Sequence, residues 1–201
     1  MASGGELTEV GRCGGLVEPS LLRQNGGMSF GRPQGDSALF RICFVCTGNI
    51  CRSPMAETVF RDLVAKAGLT ESIAVSSAGT GDWHVGESAD DRTLHALRFA
   101  GYNGEGHRAK QFDPGLFDQF DLVIVFDRSQ ERILKSWAHA EEDRGKVQLL
   151  LGFDPETSGV TDVPDPYFSD AAMFHSVLTT IERACTSLFN QLKPVIRRRT
   201  T

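Results

Sequence analysis

The 201-residue sequence contains no apolar run near the ~20 residues that a membrane span requires. Its N-terminus lacks the basic start and continuous apolar stretch of a secretory signal. A reducing cytoplasmic compartment is therefore the default, with no membrane partner. Five cysteines, at positions 13, 43, 46, 51 and 185, are odd in number and too scattered for a disulfide framework. No second pair of ligands stands at zinc-site spacing, which argues against a structural zinc site. The net charge of −5 argues against a general nucleic-acid binder, though it leaves room for a local basic pocket. No repeat at the period of solenoid or propeller folds is visible.

What is present has the apolar and charged balance of one globular domain, long enough to bury a sizeable core. The first 38 residues stand apart: nine glycines and no sustained apolar period predict a disordered or loosely attached extension over 1–38. The domain proper is expected over 39–194, followed by a basic tail over 195–201 that includes "IRRRT". From residue 39 strand and helix signals alternate. "LFRICFV" (39–45), "SIAVSSAG" (72–79), "DLVIVF" (121–126) and "KVQLLL" (146–151) have strand length and composition. Helices are predicted over 53–68, 89–101, from about 129, and over 170–192, stopped near Pro194. Ser53 is the N-cap candidate of the first helix, with Met55, Val59, Phe60, Leu63 and Val64 on its buried face. Leu94, Leu97, Phe99 and Ala100 are the expected buried side of the second. This order implies an α/β, single-domain, three-layer α/β/α fold: a four-stranded parallel sheet with helices on both faces.

In such folds ligands bind at the carboxyl ends of the strands, and the first strand-to-helix turn is the commonest anion site. That turn reads "CTGNICRS", residues 46–53. Gly48 and Asn49 are able to take positive φ and so turn successive N–H groups inward. The following helix adds unsatisfied N–H groups and partial positive charge. Arg52 offers a planar fork of donors matching two phosphate oxygens. A thiol in that field becomes acidic and nucleophilic, which points to Cys46 at the base of the cradle. Two other readings compete. As half of a metal site, Cys43, Cys46 and Cys51 lack the usual second pair of ligands. As a plain strand-to-helix turn with a redox-active pair, Cys43 and Cys46 have the spacing, but inside a strand instead of at a helix start. Cys43 and Cys185 read as small core residues.

"VCTGNICRSPMAE" resembles, nearly letter for letter, the catalytic loop of the low-molecular-weight protein tyrosine phosphatases. "SSAGTGDWHVG" (76–86), "HRAKQ" (107–111), "FDR" (126–128) and "DVPDPYF" (162–168) match that family's later landmarks in order, over about 40–192, with the bacterial type nearest. The resemblance implies hydrolysis of phosphotyrosine through a cysteinyl-phosphate, without a metal or other cofactor. It assigns Cys46 as nucleophile, Arg52 as phosphate clamp and Asp165 as general acid and then base. The N–H groups of Thr47, Gly48, Asn49, Ile50, Cys51 and Arg52 would hold the phosphate. Asn49, Ser53, Ser77 and His107 would support the loop, and Trp83 and Tyr167 would wall the substrate ring. Cys51 would form a reversible disulfide with Cys46, making the enzyme redox-sensitive.

The implied partners are phosphotyrosine-containing proteins or peptides, with inorganic phosphate as product, and the protein itself is expected to be a monomer. Activity highest at mildly acidic pH, about 5 to 6, follows from those roles. Phe168 departs from the tyrosine pair many relatives carry there, so regulation through that tyrosine does not transfer. His84, His95, His139 and His175 read as surface histidines. Three rivals are weighed. An arsenate reductase wants further cysteines, and "DLVIVFDR" has none. An arginine phosphatase of the family carries threonine where this chain has Ile50. A non-catalytic phosphate-binding module tends to lose the nucleophile or the acid, and both are present.

Overall fold

The computed structural model describes residues 39–157 and 159–199. The expected N-terminal extension over 1–38, with Cys13, lies outside them. Four strands, β1 (Phe40–Cys46), β2 (Ile73–Gly79), β3 (Leu122–Val125) and β4 (Val147–Leu149), form one parallel sheet in the order β2-β1-β3-β4. Among the described residues five α-helices accompany them: α1 (Arg52–Lys66), α2 (Asp91–Phe99), α3 (Arg128–Trp137), α4 (Glu141–Lys146) and α5 (Ala171–Arg199). The three-layer α/β/α architecture expected from the sequence is the one observed.

Strand alternation divides the core in two. Phe40, Ile42, Phe44 and Cys46 face a cluster built with α1, α2 and α5, while Cys43 and Val45 face a second cluster around Phe117 and Leu134. Cys43 and Cys46, an odd number of positions apart, therefore point to opposite faces of β1, which removes the redox-pair reading. Phe60 on α1 is fully buried against Phe44 and Phe189, with ring centroids 5.5 and 5.8 Å away. Each such aromatic side chain contributes about 1.5–3 kcal/mol through burial. The sheet's topological switch lies between β1 and β3, and the loops leaving their carboxyl ends meet there.

Several boundaries differ from the sequence expectation. Helix α1 begins at Arg52 with Cys51 as its N-cap and no side-chain cap, so Ser53 is not the capping residue. In α2 the buried residues are Thr93, Ala96 and Leu97. Phe99 is 81% exposed, its ring in a T-shaped contact with that of His175 at 5.1 Å. Strand β4 ends at Leu149, and Leu150–Phe153 turn into a short 3-10 segment. An all-apolar run carries no period to separate the two. Helix α5 passes through Pro194 to Arg199, because the stripe of Phe189, Leu192 and Ile196 stays buried beyond it and outweighs the one lost N–H. Residues 195–199 are thus helical, where a tail is expected.

Candidate active site

Residues 46–51 leave the end of β1 and lead into α1, at the switch between β1 and β3. Four of their carbonyls point outward, each held from a different direction. Thr80 N–H donates to Cys46 O at 2.8 Å, Gly81 N–H to Thr47 O at 2.9 Å and Asp90 N–H to Ile50 O at 2.9 Å. His107 Nε2–H donates to Asn49 O at 2.7 Å. In a trans-planar peptide the following N–H points the opposite way, so these bonds turn successive N–H groups to the inside of the loop. The result is a nest of backbone donors at a helix N-terminus, suited to a tetrahedral oxyanion.

Of the two residues expected at positive φ, only Asn49 is there, at 56°. Gly48 has a different reason to be small: a Cβ on it would lie 2.9 Å from the His84 ring, which would have to move aside. Gly79, at the end of β2, lets the loop approach, since a Cβ there would lie 2.7 Å from Thr47 O.

Asn49 organises the buried side of the loop. Its Oδ1 accepts from the Lys110 N–H at 2.9 Å, which fixes the amide's orientation. Its Nδ2 donates to Ser53 Oγ at 2.8 Å and to Ser77 Oγ at 2.9 Å. Ser77 passes its own proton to Glu57 Oε2, which also faces His107 Nδ1 at 3.9 Å. Because Nε2 donates to a carbonyl, His107 carries its proton there, and burial lowers its pKa below the ordinary histidine value. Ser53 Oγ lies 3.0 Å from Cys46 Sγ and 3.3 Å from Ala78 O. Its single proton is therefore available to the sulfur when the sulfur is an acceptor.

Arg52 is buried between two carboxylates. Nη1 donates to Asp127 Oδ2 at 2.8 Å and to Val163 O at 3.1 Å, and Nη2 to Asp165 Oδ2 at 2.6 Å. Its Nε has no hydrogen-bond partner among the described residues, although it is buried. A desolvated donor without an acceptor is costly, and a phosphate oxygen is the kind of group that would satisfy it. Asp165 is half exposed, on the loop facing the cradle.

A cavity of ≈ 240 Å³ opens above the loop. Cys46, Arg52 and Asp165 line its floor and side, with Ile50, Trp83 and Tyr167 also on its walls. Thr47 joins it too, its Oγ1 held by Gln130 Nε2 at 3.3 Å. Cys51 is buried beside Cys46. Burial, with the Cys46, Asp90 and Asp165 charges behind it, pushes its thiol up to about 12. Cys43 is also pushed up to about 12 by burial, in keeping with a core role. Among the described residues no group of three or more His, Cys, Asp or Glu side chains is placed to hold a metal ion.

Several participants are not apparent from the sequence. Asp127 caps α3 by accepting from Gln130 N–H at 2.8 Å, and the same carboxylate orients Arg52. Glu57 closes the Asn49–Ser77–His107 network. His84, read as a surface residue, lines the cavity instead, with Nδ1 held by Glu87 Oε2 at 2.7 Å. The Gly-Asp-Trp-His turn was the available signal for His84.

Residues 41–197 match the family model described as low molecular weight phosphotyrosine protein phosphatase. A low molecular weight protein-tyrosine-phosphatase of Streptomyces coelicolor is 46% identical over 161 residues, covering 80% of this chain and 98% of that protein. The crystal structure of YfkJ from Bacillus subtilis superposes with a TM-score of 0.72 at 37% identity, over 82% of this chain and 98% of that one. The YwlE arginine phosphatase, solved as a mutant with a phosphorylated active-site serine, gives a TM-score of 0.68 at 29% identity, over 77% and 96% of the two chains.

Proposed function

The chain belongs to the low molecular weight phosphotyrosine protein phosphatases, and from that premise we propose that Cys46, Arg52 and Asp165 carry its hydrolysis of phosphotyrosine without a metal. The observation that carries this reading is the outward hydrogen bonding of four loop carbonyls around Cys46, which leaves a ring of N–H donors over its sulfur. The phosphate of a phosphotyrosyl protein docks in that ring and takes up the donors of Arg52. Cys46 Sγ attacks phosphorus as the bond to the phenolic oxygen breaks, and Asp165 gives that oxygen its proton. Water then attacks the cysteinyl-phosphate, Asp165 takes the proton back, and inorganic phosphate leaves. Arg52 and the loop N–H groups meet the charge on the equatorial oxygens, which is where the transition state carries it. Ser53 donates to the departing thiolate.

Trp83 and Tyr167 wall the cavity that would take the phenol ring, and Ile50 adds an apolar surface beside it. That apolar lining favours tyrosine over the phosphoguanidinium of an arginine phosphatase. The test compares a phosphotyrosyl with a phosphoarginyl peptide in EDTA across pH. Phosphotyrosine turnover should persist in chelator and follow a bell-shaped profile, since it needs Cys46 ionised and Asp165 protonated. Preference for phosphoarginine would reassign the substrate, and loss of activity in chelator would remove the metal-free mechanism.

The pair Cys46 and Cys51 is read as a protective disulfide. Peroxide converts the Cys46 thiolate to a sulfenic acid, and the Cys51 thiol, held protonated by burial, displaces water to close the S–S bond. Peroxide-inactivated protein should regain activity with dithiothreitol, and Cys51→Ser should regain much less. Equal recovery of the two would exclude the protective role.

A further inference from the structure

The loop bearing Asp165 is anchored on both sides. Upstream, Val163 N–H donates to Phe126 O at 2.7 Å, and Val163 O accepts from Arg52 Nη1 at 3.1 Å. Downstream the anchor is Arg92, from the first turn of α2. Its Nη1 donates to Ser169 O at 2.8 Å and its Nη2 to Tyr167 O at 3.0 Å. Asp165 lies between the two anchors, and its Oδ1 accepts from the Tyr167 N–H at 3.2 Å.

Arg92 is itself aimed. Asp90 accepts from its Nε at 2.9 Å and from its Nη2 at 2.7 Å, while the guanidinium carbon lies 4.4 Å from the centre of the Phe174 ring. Four of the five guanidinium N–H donors are engaged by these bonds. Asp90 in turn donates its backbone N–H to Ile50 O, inside the phosphate loop. One short segment, Asp90 to Arg92, thus joins the wall of the phosphate cradle to the loop that carries the acid.

We propose that Arg92 is a positioning residue, setting Asp165 at the distance from the bound phosphate that proton transfer to the leaving oxygen requires. The inference rests on Asp165 being the general acid. The side chain is too exposed for its ion pair with Asp90 to matter much to stability. Its two carbonyl partners both belong to the segment just beyond Asp165. Losing the Arg92 side chain therefore frees one side of the acid loop, while the Asp90 N–H bond to Ile50 O and the Arg52 bond to Asp127 do not involve it. Proton donation matters more the more basic the leaving oxygen, so the damage should grow along a series of leaving groups.

The experiment measures kcat/KM for nitrophenyl phosphate, a weakly basic leaving group, and for phenyl phosphate, a strongly basic one. Wild type is compared with Arg92→Ala, Arg92→Lys, Asp165→Asn and the Arg92→Ala/Asp165→Asn double variant. Arg92→Ala should lose about tenfold more on phenyl than on nitrophenyl phosphate. Its melting temperature should stay close to wild type. Arg92→Lys should behave alike, because one ammonium cannot span both carbonyls while paired with Asp90. On phenyl phosphate the double variant should be no worse than Asp165→Asn alone. Equal losses on both substrates, or a further loss in the double variant, would overturn the proposal. If Asp165→Asn shows no dependence on the leaving group, the acid assignment itself falls and takes the role of Arg92 with it. That outcome is distinct from Arg92 alone failing.

Discussion

Replacing Cys46 with serine is expected to end phosphotyrosyl-peptide turnover, a loss on the order of 10⁴-fold or more. The cradle gives an anionic sulfur a place to sit, under inward N–H groups and 3.0 Å from a hydroxyl. Among the described residues no base is hydrogen-bonded to the sulfur, where an alcohol would need one: its side-chain partner is Ser53, and His107 spends its Nε2 proton on Asn49 O. A serine there would stay neutral. It would also be a poor leaving group once phosphorylated, so any phosphoserine that formed would persist. The loop's hydrogen bonds do not involve the sulfur except through Ser53. The variant should therefore fold and still bind inorganic phosphate by calorimetry. Steady turnover by Cys46→Ser would sink the nucleophile assignment, and loss of phosphate binding would show that the variant had lost the cradle as well.

Arg52→Lys is expected to cost about 10²–10³-fold in kcat/KM, the scale of removing a donor aimed at transition-state charge. The guanidinium holds Asp127 and Val163 O through Nη1 and Asp165 through Nη2, with Nε still to be satisfied. An ammonium has one nitrogen and cannot reach both carboxylates and a phosphate with the same geometry. Phosphate should also become a weaker competitive inhibitor of the variant. A kcat/KM within tenfold of wild type would mean that charge alone suffices and that the planar fork is not what the site uses.

The fold was legible because parallel strands covered on both faces read as short apolar runs, and helices between them carry a different period. The cradle was legible because its chemistry is contiguous: thiol, glycine, asparagine and arginine lie within eight positions. Asp165 was legible only through resemblance, since a loop carboxylate among several has no local mark. Asp127 was hidden by its more ordinary duty, the N-cap of α3, which the sequence explains without any second role. Glu57 and Arg92 sit on helices as unremarkable charged residues, and their partners lie 20 and more than 70 positions away. The positive φ expected at Gly48 is absent, and what a side chain there would meet is the ring of His84.

The cradle is assembled from main-chain atoms, tied down by strand ends, a turn and a histidine, while its rim is made largely of exposed aromatic side chains outside the core. Trp83 is 70% exposed and Phe168 97% exposed. Capture of the anion and choice of the organic group it is attached to are therefore separable parts of this molecule. The floor cannot change without disturbing the strands beneath it, whereas the aromatic rim is free to drift. A single scaffold of this kind is able to keep its reaction constant while its clientele diverges.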